Sequence, residues 1–232
     1  MKIKVCGMRN SDNITELVKL TPDYIGFIFY DKSKRFVADF PEIKIPKSIK
    51  KVGVFVNETI EEITRKVVQY DLQAVQLHGD ETPAFCRELK SKICHSALDA
   101  ESIENKSEML NQVQHDKTQI IKAFAVGADF DFSKTTAYEK YCDLFLFDTK
   151  GKEYGGNGVK YDWNILRNYK GETPYLLSGG ITENDVEVVK ELQHSKFAGV
   201  DLNSGFEDVP AIKNIEKLNV FINKLKINRQ FE

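Results

Sequence analysis

The chain has 232 residues, enough for one large domain or two small ones, and either can bury a sizeable core. Apolar residues make up 41% and charged residues 29%, a globular mix that argues against disorder. Lys and Arg number 33 against 35 Asp and Glu, so the formal net charge of −2 leaves no electrostatic footprint for DNA, RNA or an acidic membrane, while a small basic pocket for one anionic ligand stays compatible with it.

The N-terminus, Met-Lys-Ile-Lys-Val-Cys-Gly, has no apolar core region and no cleavage pattern of a signal peptide, which predicts a cytoplasmic protein. The most apolar stretch, Tyr24 to Tyr30, is far shorter than a membrane span of about 20 residues. Cys6, Cys86, Cys94 and Cys142 form no C-x-x-C pair, and no His stands at zinc-ligand spacing from them. Neither a disulfide framework nor a metal site is expected.

In chain order, eight short apolar runs read as strands: Ile3–Cys6, Tyr24–Phe29, Lys51–Val56, Ala74–Leu77, Ile120–Phe124, Leu144–Phe147, Tyr175–Leu177 and Gly199–Leu202. Most are β-branched or aromatic and nearly continuous, as strands buried on both faces should be. Amphipathic stripes lie between them: Ile14, Leu17 and Val18; Ile60, Ile63, Val67 and Val68; Val186, Val189 and Leu192; and Ile212, Ile215, Leu218, Ile222 and Leu225. Asn57 reads as the cap of a helix starting at Thr59, Thr82-Pro83 as a cap followed by a proline at the first helical position, and Thr182 with Asp185 as a weak capping box. Strand and helix alternating eight times predict an α/β fold, a (β/α)₈ barrel in a single domain over residues 1–232, with an open doubly wound sheet as the runner-up. No Gly-x-Gly-x-x-Gly follows the first strand, which weakens a dinucleotide-binding reading.

Successive strand starts are 21 to 31 residues apart, except for a gap of 46 before the fifth strand. Glu81–Lys92 already supplies the helix due there. The excess, about 93–119, is polar and carries only the weak stripe Ile103, Met109, Leu110, Val113. It is expected to be a surface insertion on the N-terminal side of strand five, and it resembles the translated palindromic repeats found inside some bacterial genes.

In a barrel, function gathers at the C-terminal ends of the strands. Those ends carry Cys6, Arg35 just beyond strand two, Asn57, His78, Asp148, Ser178-Gly179-Gly180 and Asp201-Leu202-Asn203-Ser204-Gly205. Singly, each has an ordinary structural reading: a lone Cys as core filler, Asp148 as a helix cap, His78-Gly79 as a turn. The glycines say more. Two Gly-bearing loops follow strands seven and eight, where barrel enzymes commonly bind phosphate, and Gly lets backbone N–H groups approach an anion closely.

Taken together, the motifs resemble the phosphoribosylanthranilate isomerase family of tryptophan biosynthesis. They are Lys4-Val5-Cys6-Gly7-Met8-Arg9, Ser33-Lys34-Arg35-Phe36-Val37, Gly53-Val54-Phe55-Val56-Asn57, Val75-Gln76-Leu77-His78-Gly79-Asp80-Glu81, Phe147-Asp148-Thr149, Tyr154-Gly155-Gly156-Asn157-Gly158, Leu177-Ser178-Gly179-Gly180 and Asp201-Leu202-Asn203-Ser204-Gly205-Phe206-Glu207. The stretch of about 93–119 departs from the family. The resemblance implies an Amadori rearrangement of N-(5-phosphoribosyl)anthranilate to 1-(2-carboxyphenylamino)-1-deoxyribulose 5-phosphate, with no cofactor and no metal. It makes Asp148 the acid that opens the furanose ring and Cys6 the base that takes the C2′ proton. It gives Arg35 the anthranilate carboxylate, Gly179, Gly180, Ser204 and Gly205 the phosphate, and Asp201 a ribose hydroxyl. His78 lines the site, and Tyr154 to Gly158 form a mobile lid. The expected partner is a small phosphoribosyl substrate, with no nucleic acid and no membrane, in a monomer or homodimer.

Strand alternation agrees with the acid–base pair, because Lys4 and Cys6 share one side of their strand, as do Leu146 and Asp148. Lys4 then points into the barrel, a structural lysine in need of a carboxylate partner. The protonation states pose a difficulty, because a free Cys is almost wholly thiol and a free Asp almost wholly ionised near neutral pH. Desolvation could raise Asp148, and a nearby cation or helix N-terminus could lower Cys6. Two alternatives stay open from the residues alone. A histidine-pathway sugar isomerase would need an aspartate where Cys6 stands, and a non-catalytic phosphosugar-binding barrel would keep the glycines without needing both Cys6 and Asp148.

Overall fold

A computed structural model describes residues 1–95, 118–149 and 162–227. Eight parallel strands close into a barrel in the order β1 to β8: β1 Lys2–Cys6, β2 Tyr24–Ile28, β3 Lys50–Phe55, β4 Ala74–Leu77, β5 Gln119–Val126, β6 Leu144–Thr149, β7 Tyr175–Leu177 and β8 Phe197–Leu202. Each predicted run became one of these strands. Closure is carried by β1 pairing with β8, where Lys4 stands beside Asp201.

The two-residue period sorts the side chains into two layers. Tyr24, Val52, Ala74, Ile121, Leu144, Leu146 and Leu176 fill the barrel interior. Their alternates, including Val5, Phe27, Phe55, Leu77, Phe145, Phe147 and Val200, pack outward in the larger core beneath the helices. The interior is narrow and its floor is polar. The Lys2 ammonium donates to the Tyr24 hydroxyl at 3.2 Å, and that hydroxyl and Lys50 both donate to Gln119 Oε1, at 3.1 and 3.0 Å.

The helices are α1 Ser11–Val18, α2 Ile60–Tyr70, α3 Pro83–His95, α4 Val186–Lys190 and α5 Ile215–Ile227, with single-turn or longer 3₁₀ segments at Phe132–Tyr138, Trp163–Asn168, Glu183–Asp185 and Ser204–Phe206. Thr82 caps α3 as expected, its hydroxyl accepting from Phe85 N at 3.2 Å. The Asp185 carboxylate accepts from both the backbone N–H and the hydroxyl of Thr182, at 2.7 and 2.8 Å.

Several expectations need correction. Alternation is incomplete: the chain from Phe29 to Ile49 contains no helix. Asn57 is not the cap of α2; Thr59 is, accepting from Glu62 N, while Asn57 adopts a left-handed backbone and its side-chain oxygen accepts from Asp80 N at 2.7 Å. Val68 is exposed rather than part of the buried stripe of α2. Ile212 belongs to a small antiparallel hairpin, β9 Glu207–Val209 with β10 Ile212–Lys213, because the turn at Ala211 interrupts the helical period. The insertion stripe from Ile103 to Val113 and the expected lid from Tyr154 to Gly158 lie outside the described residues.

One buried carboxylate ties the loops after β3 and β4 together. Glu81 accepts from Asn57 N at 2.8 Å, from Gly79 N at 3.0 Å and from the Lys122 ammonium at 3.1 Å; Lys122 also donates to Gly79 O at 2.7 Å. Both side chains are almost wholly buried. Removing one member leaves the other charge unpaired in a dry site. Glu81→Ala is therefore expected to lower the unfolding free energy by about 3–5 kcal/mol in a denaturant titration, and a loss within experimental error of zero would remove Glu81 from the fold's supports.

Candidate active site

The strand ends that face inward converge on one pocket at the C-terminal mouth of the barrel. On the first side stands Cys6, the last residue of β1, buried at 4% exposure. Gly26 of β2 lies beside it in register, and a Cβ there would come within 2.8 Å of the Cys6 sulfur, so glycine leaves the thiol its room. Lys4, one inward position deeper and fully buried, donates to Asp201 Oδ1 at 2.8 Å. The carboxylate that Lys4 needed is thus Asp201, whose other oxygen lies 3.4 Å from the Ser178 hydroxyl.

Burial pushes the Cys6 thiol up from its ordinary value; Lys4 and Lys213 pull against this and do not overcome it, while Asp201 adds to the rise. Of the effects expected on this thiol, desolvation wins over the nearby cation. Burial likewise pushes the Asp201 carboxyl up against the pull of Lys4, with Asp148 adding to the rise. Burial alone would lower Lys4, but Asp201 and Cys6 together hold it above the usual lysine range.

Across the pocket, Asp148 ends the inward row of β6. One of its oxygens accepts from Thr149 N at 2.9 Å, and the other lies 3.3 Å from His78 Nε2. The His78 Nδ1 is 2.7 Å from Gln76 Nε2. With the Gln76 amide donating to Nδ1, the imidazole carries its proton on Nε2 and presents it to Asp148.

The third wall is backbone. Gly179 and Gly180 take φ of +90° and +68°, a region that L side chains rarely adopt, and a Cβ on Gly179 would collide with Thr149. Ser204 and Gly205 open the turn after β8 on the same side.

Arg35 forms the fourth wall, from the loop after β2. Its Nε and Nη2 hold Glu207 in a fork, at 2.8 Å to Oε1 and 2.6 Å to Oε2. Glu207 also accepts from Lys213, whose ammonium reaches Asn203 Oδ1 at 2.9 Å. Glu207 thus occupies one edge of the guanidinium; Nη1 has no hydrogen-bond partner among the described residues. Burial would raise the Glu207 carboxyl, but Arg35 and Lys213 outweigh it and hold it below the usual glutamate range.

All nine residues singled out in the sequence line this one pocket: Cys6, Arg35, His78, Asp148, Gly179, Gly180, Asp201, Ser204 and Gly205. Sequence reading gave no role to Gln76, Asn203 and Glu207, which stood within its motifs, and did not single out Lys213. Gln76 carried a signal, a lone polar residue in an apolar strand two positions before His78. The pairing of Glu207 with Arg35 carried none, because the two stand 172 positions apart.

The profile of the family described as N-(5'phosphoribosyl)anthranilate (PRA) isomerase matches residues 3–119 and 102–224. The chain belongs to the phosphoribosylanthranilate isomerase family. An N-(5'-phosphoribosyl)anthranilate isomerase of Parabacteroides distasonis is 44% identical over 230 residues, spanning 97% of this chain and 93% of that one. The crystal structure of phosphoribosylanthranilate isomerase from Thermotoga maritima aligns with a TM-score of 0.77 at 30% identity, over 97% of this chain and 98% of that one. A phosphoribosylanthranilate isomerase in complex with reduced 1-(o-carboxyphenylamino)-1-deoxyribulose 5-phosphate aligns with a TM-score of 0.74 at 27% identity, over the same shares of the two chains. As a member of this family the protein is an enzyme, an isomerase of tryptophan biosynthesis built on a (β/α)₈ barrel. Among the described residues no helix is long and apolar enough to cross a membrane.

The Arg35–Glu207–Lys213 cluster has a pH consequence. Glu207 titrates lower folded than unfolded, so its contribution to stability is fully present above the ordinary glutamate pKa and is lost as pH falls through its depressed folded value. Glu207→Gln is expected to flatten this acid-side slope and to lower stability at neutral pH by about 3–5 kcal/mol, as for a broken buried pair. Parallel denaturant titrations of the two proteins across acid pH check it; an unchanged slope would count against the cluster.

Proposed function

We propose that the pocket carries out the family's Amadori rearrangement with Asp148 as general acid and Cys6 as general base. Asp148 gives its proton to the furanose ring oxygen, the C1′–O bond breaks and the anilino nitrogen lone pair forms an iminium. Cys6, as thiolate, takes the C2′ proton, and its electron pair closes the C1′=C2′ bond of an enolamine. Transfer of the hydroxyl proton at C2′ to C1′ then gives the ketone. Asp148 loses one proton and Cys6 gains one, so the pair is reset by returning a proton before the next turnover.

The observation that carries this reading is the meeting of Cys6 and Asp148 in one pocket, from strands β1 and β6 on opposite sides of the barrel. The surrounding walls divide the substrate. Backbone N–H groups at Gly179, Gly180 and Gly205, with Ser204, suit a phosphate. The unoccupied Nη1 edge of Arg35 suits the anthranilate carboxylate at the other end. Asp201 suits a ribose hydroxyl between them as an acceptor, and His78, 3.3 Å from Asp148, suits a role in orienting the acid. The chemistry is internal to the substrate and calls for no cofactor. The enzyme works in the cytoplasm as a monomer or homodimer.

The decisive assay uses freshly made phosphoribosylanthranilate without added metal. Cys6→Ser should reduce turnover by about 10²-fold or more, in line with loss of a general base, and Asp148→Asn should slow turnover with the Michaelis constant roughly kept. Near-normal turnover in either variant would take that residue out of the proton transfers.

Residues 1–232 are further read as one barrel domain with a surface insertion at about 93–119. In support, α3 ends at His95 and β5 begins at Gln119, so the segment between them joins the chain at the N-terminal rim, the end remote from the pocket. Replacing Cys94 to Lys117 by a short Gly-containing linker should leave turnover and the Michaelis constant within about twofold, since loop-closure entropy changes slowly with length. A folded but inactive deletion variant would place the segment in the working enzyme.

A further inference from the structure

Lys213 is the last residue of β10, and its side chain is wholly buried, yet it does not line the pocket. Its ammonium donates to Glu207 Oε1 at 2.5 Å and to Asn203 Oδ1 at 2.9 Å. The hairpin register sets Lys213 opposite Glu207. Asn13 of α1 clips the Lys213 backbone twice, accepting from its N–H at 2.8 Å and donating to its carbonyl at 2.9 Å. Backbone contacts thus fix where this lysine stands.

Glu207 steadies Arg35 in a fork and at the same time cancels its charge. A second carboxylate brought to the free edge of the guanidinium would then leave two anions against one cation. Arg35 and Glu207 are only 12% and 5% exposed, so water screens that excess weakly. Lys213 closes the count: two cations face two carboxylates once the ligand is seated. Among the described residues no other charged side chain hydrogen-bonds to this set. Burial, with Arg35 adding to it, pushes Lys213 down from the usual lysine range, and Glu207 pulls the other way. A second carboxylate at Arg35 acts in the same sense as Glu207.

We propose that Lys213 is a positioning residue that determines specificity for the aryl carboxylate: by neutralising Glu207 it keeps the brace on Arg35 while leaving the guanidinium charge to the ligand. The proposal rests on the reading of Arg35 as the carboxylate clamp, and the experiment tests the two separately. Isothermal titration at one ionic strength compares two ligands, reduced 1-(o-carboxyphenylamino)-1-deoxyribulose 5-phosphate and the same compound without its carboxyl group. The proteins are the parent enzyme, Lys213→Met, Lys213→Gln and Arg35→Ala. Lys213→Met should weaken the carboxylate-bearing ligand by about tenfold or more, and the carboxyl-free ligand by less than about threefold, because the lost charge acts mainly on the nearest anion. Lys213→Gln still has an amide to donate to Glu207 but carries no charge, and it should lose the same discrimination. Equal weakening of both ligands is what a merely structural lysine would give, and it overturns the proposal. Parent-like discrimination in Lys213→Gln does so too, since a hydrogen bond would then suffice. Should Lys213→Met not fold, Lys213→Gln decides by itself. If Arg35→Ala abolishes the preference for the carboxylate while the Lys213 variants keep it, the clamp stands and the Lys213 proposal falls. If Arg35→Ala leaves the preference intact, the clamp reading falls and the proposal with it.

Discussion

Closure of β1 against β8 is the constraint on which the rest depends. It sets the β1–β8 register, and that register puts Lys4 beside Asp201 in the dry interior. Once the seam is fixed, the two-residue strand period determines what faces inward above it: Cys6 on β1, Gln76 and then His78 from β4, Leu146 and then Asp148 on β6. A slip of one residue in any strand would turn its functional row into the outer core. The large apolar residues of the outer layer, such as Phe145, Phe147 and Tyr175, make such a slip expensive, because they fit only beneath the helices.

The interior and the mouth are built by different means. The middle of the barrel is filled with Val52, Ala74, Ile121, Leu144, Leu146 and Leu176, which supply packing and no chemistry. The mouth is polar, and its polar groups come in compensated sets. Lys4 with Asp201, Lys213 and Arg35 with Glu207, and Gln76 with His78 and Asp148 each satisfy a group that would be costly to bury alone. This arrangement fixes side chains before any ligand arrives, which is how a site lowers the ordering cost of binding. It also leaves donors at the pocket: the second edge of Arg35 and the backbone N–H groups of the glycine loops.

Electrostatics and burial work against each other at Cys6. A thiol buried at the end of β1 resists ionisation, and the cation beneath it is paired with a carboxylate. The balance favours the thiol.

The sequence by itself determined the strands, the barrel, the family and nine of the residues at the pocket, because these rest on short-range signals. Continuous apolar runs mark Tyr24–Phe29 and Leu144–Phe147 as buried strands, and residues at the ends of such strands have one place to go in a barrel. Only the tertiary structure decided the partnerships. Asp201 as the carboxylate of Lys4, Glu207 as the brace of Arg35, and His78 as the neighbour of Asp148 join residues far apart in the chain, and no local period reports them. It also decided where local signals mislead. Asn57 resembles a cap but serves the neighbouring loop, and Ile212 keeps helical spacing but pairs in a hairpin, because contacts with distant segments outweigh the few tenths of a kcal/mol to about 1 kcal/mol that local propensity and capping offer. The ionisation of Cys6 belongs to the same class: burial and four surrounding charges set it, and three of those charges, Arg35, Asp201 and Lys213, come from other segments of the chain.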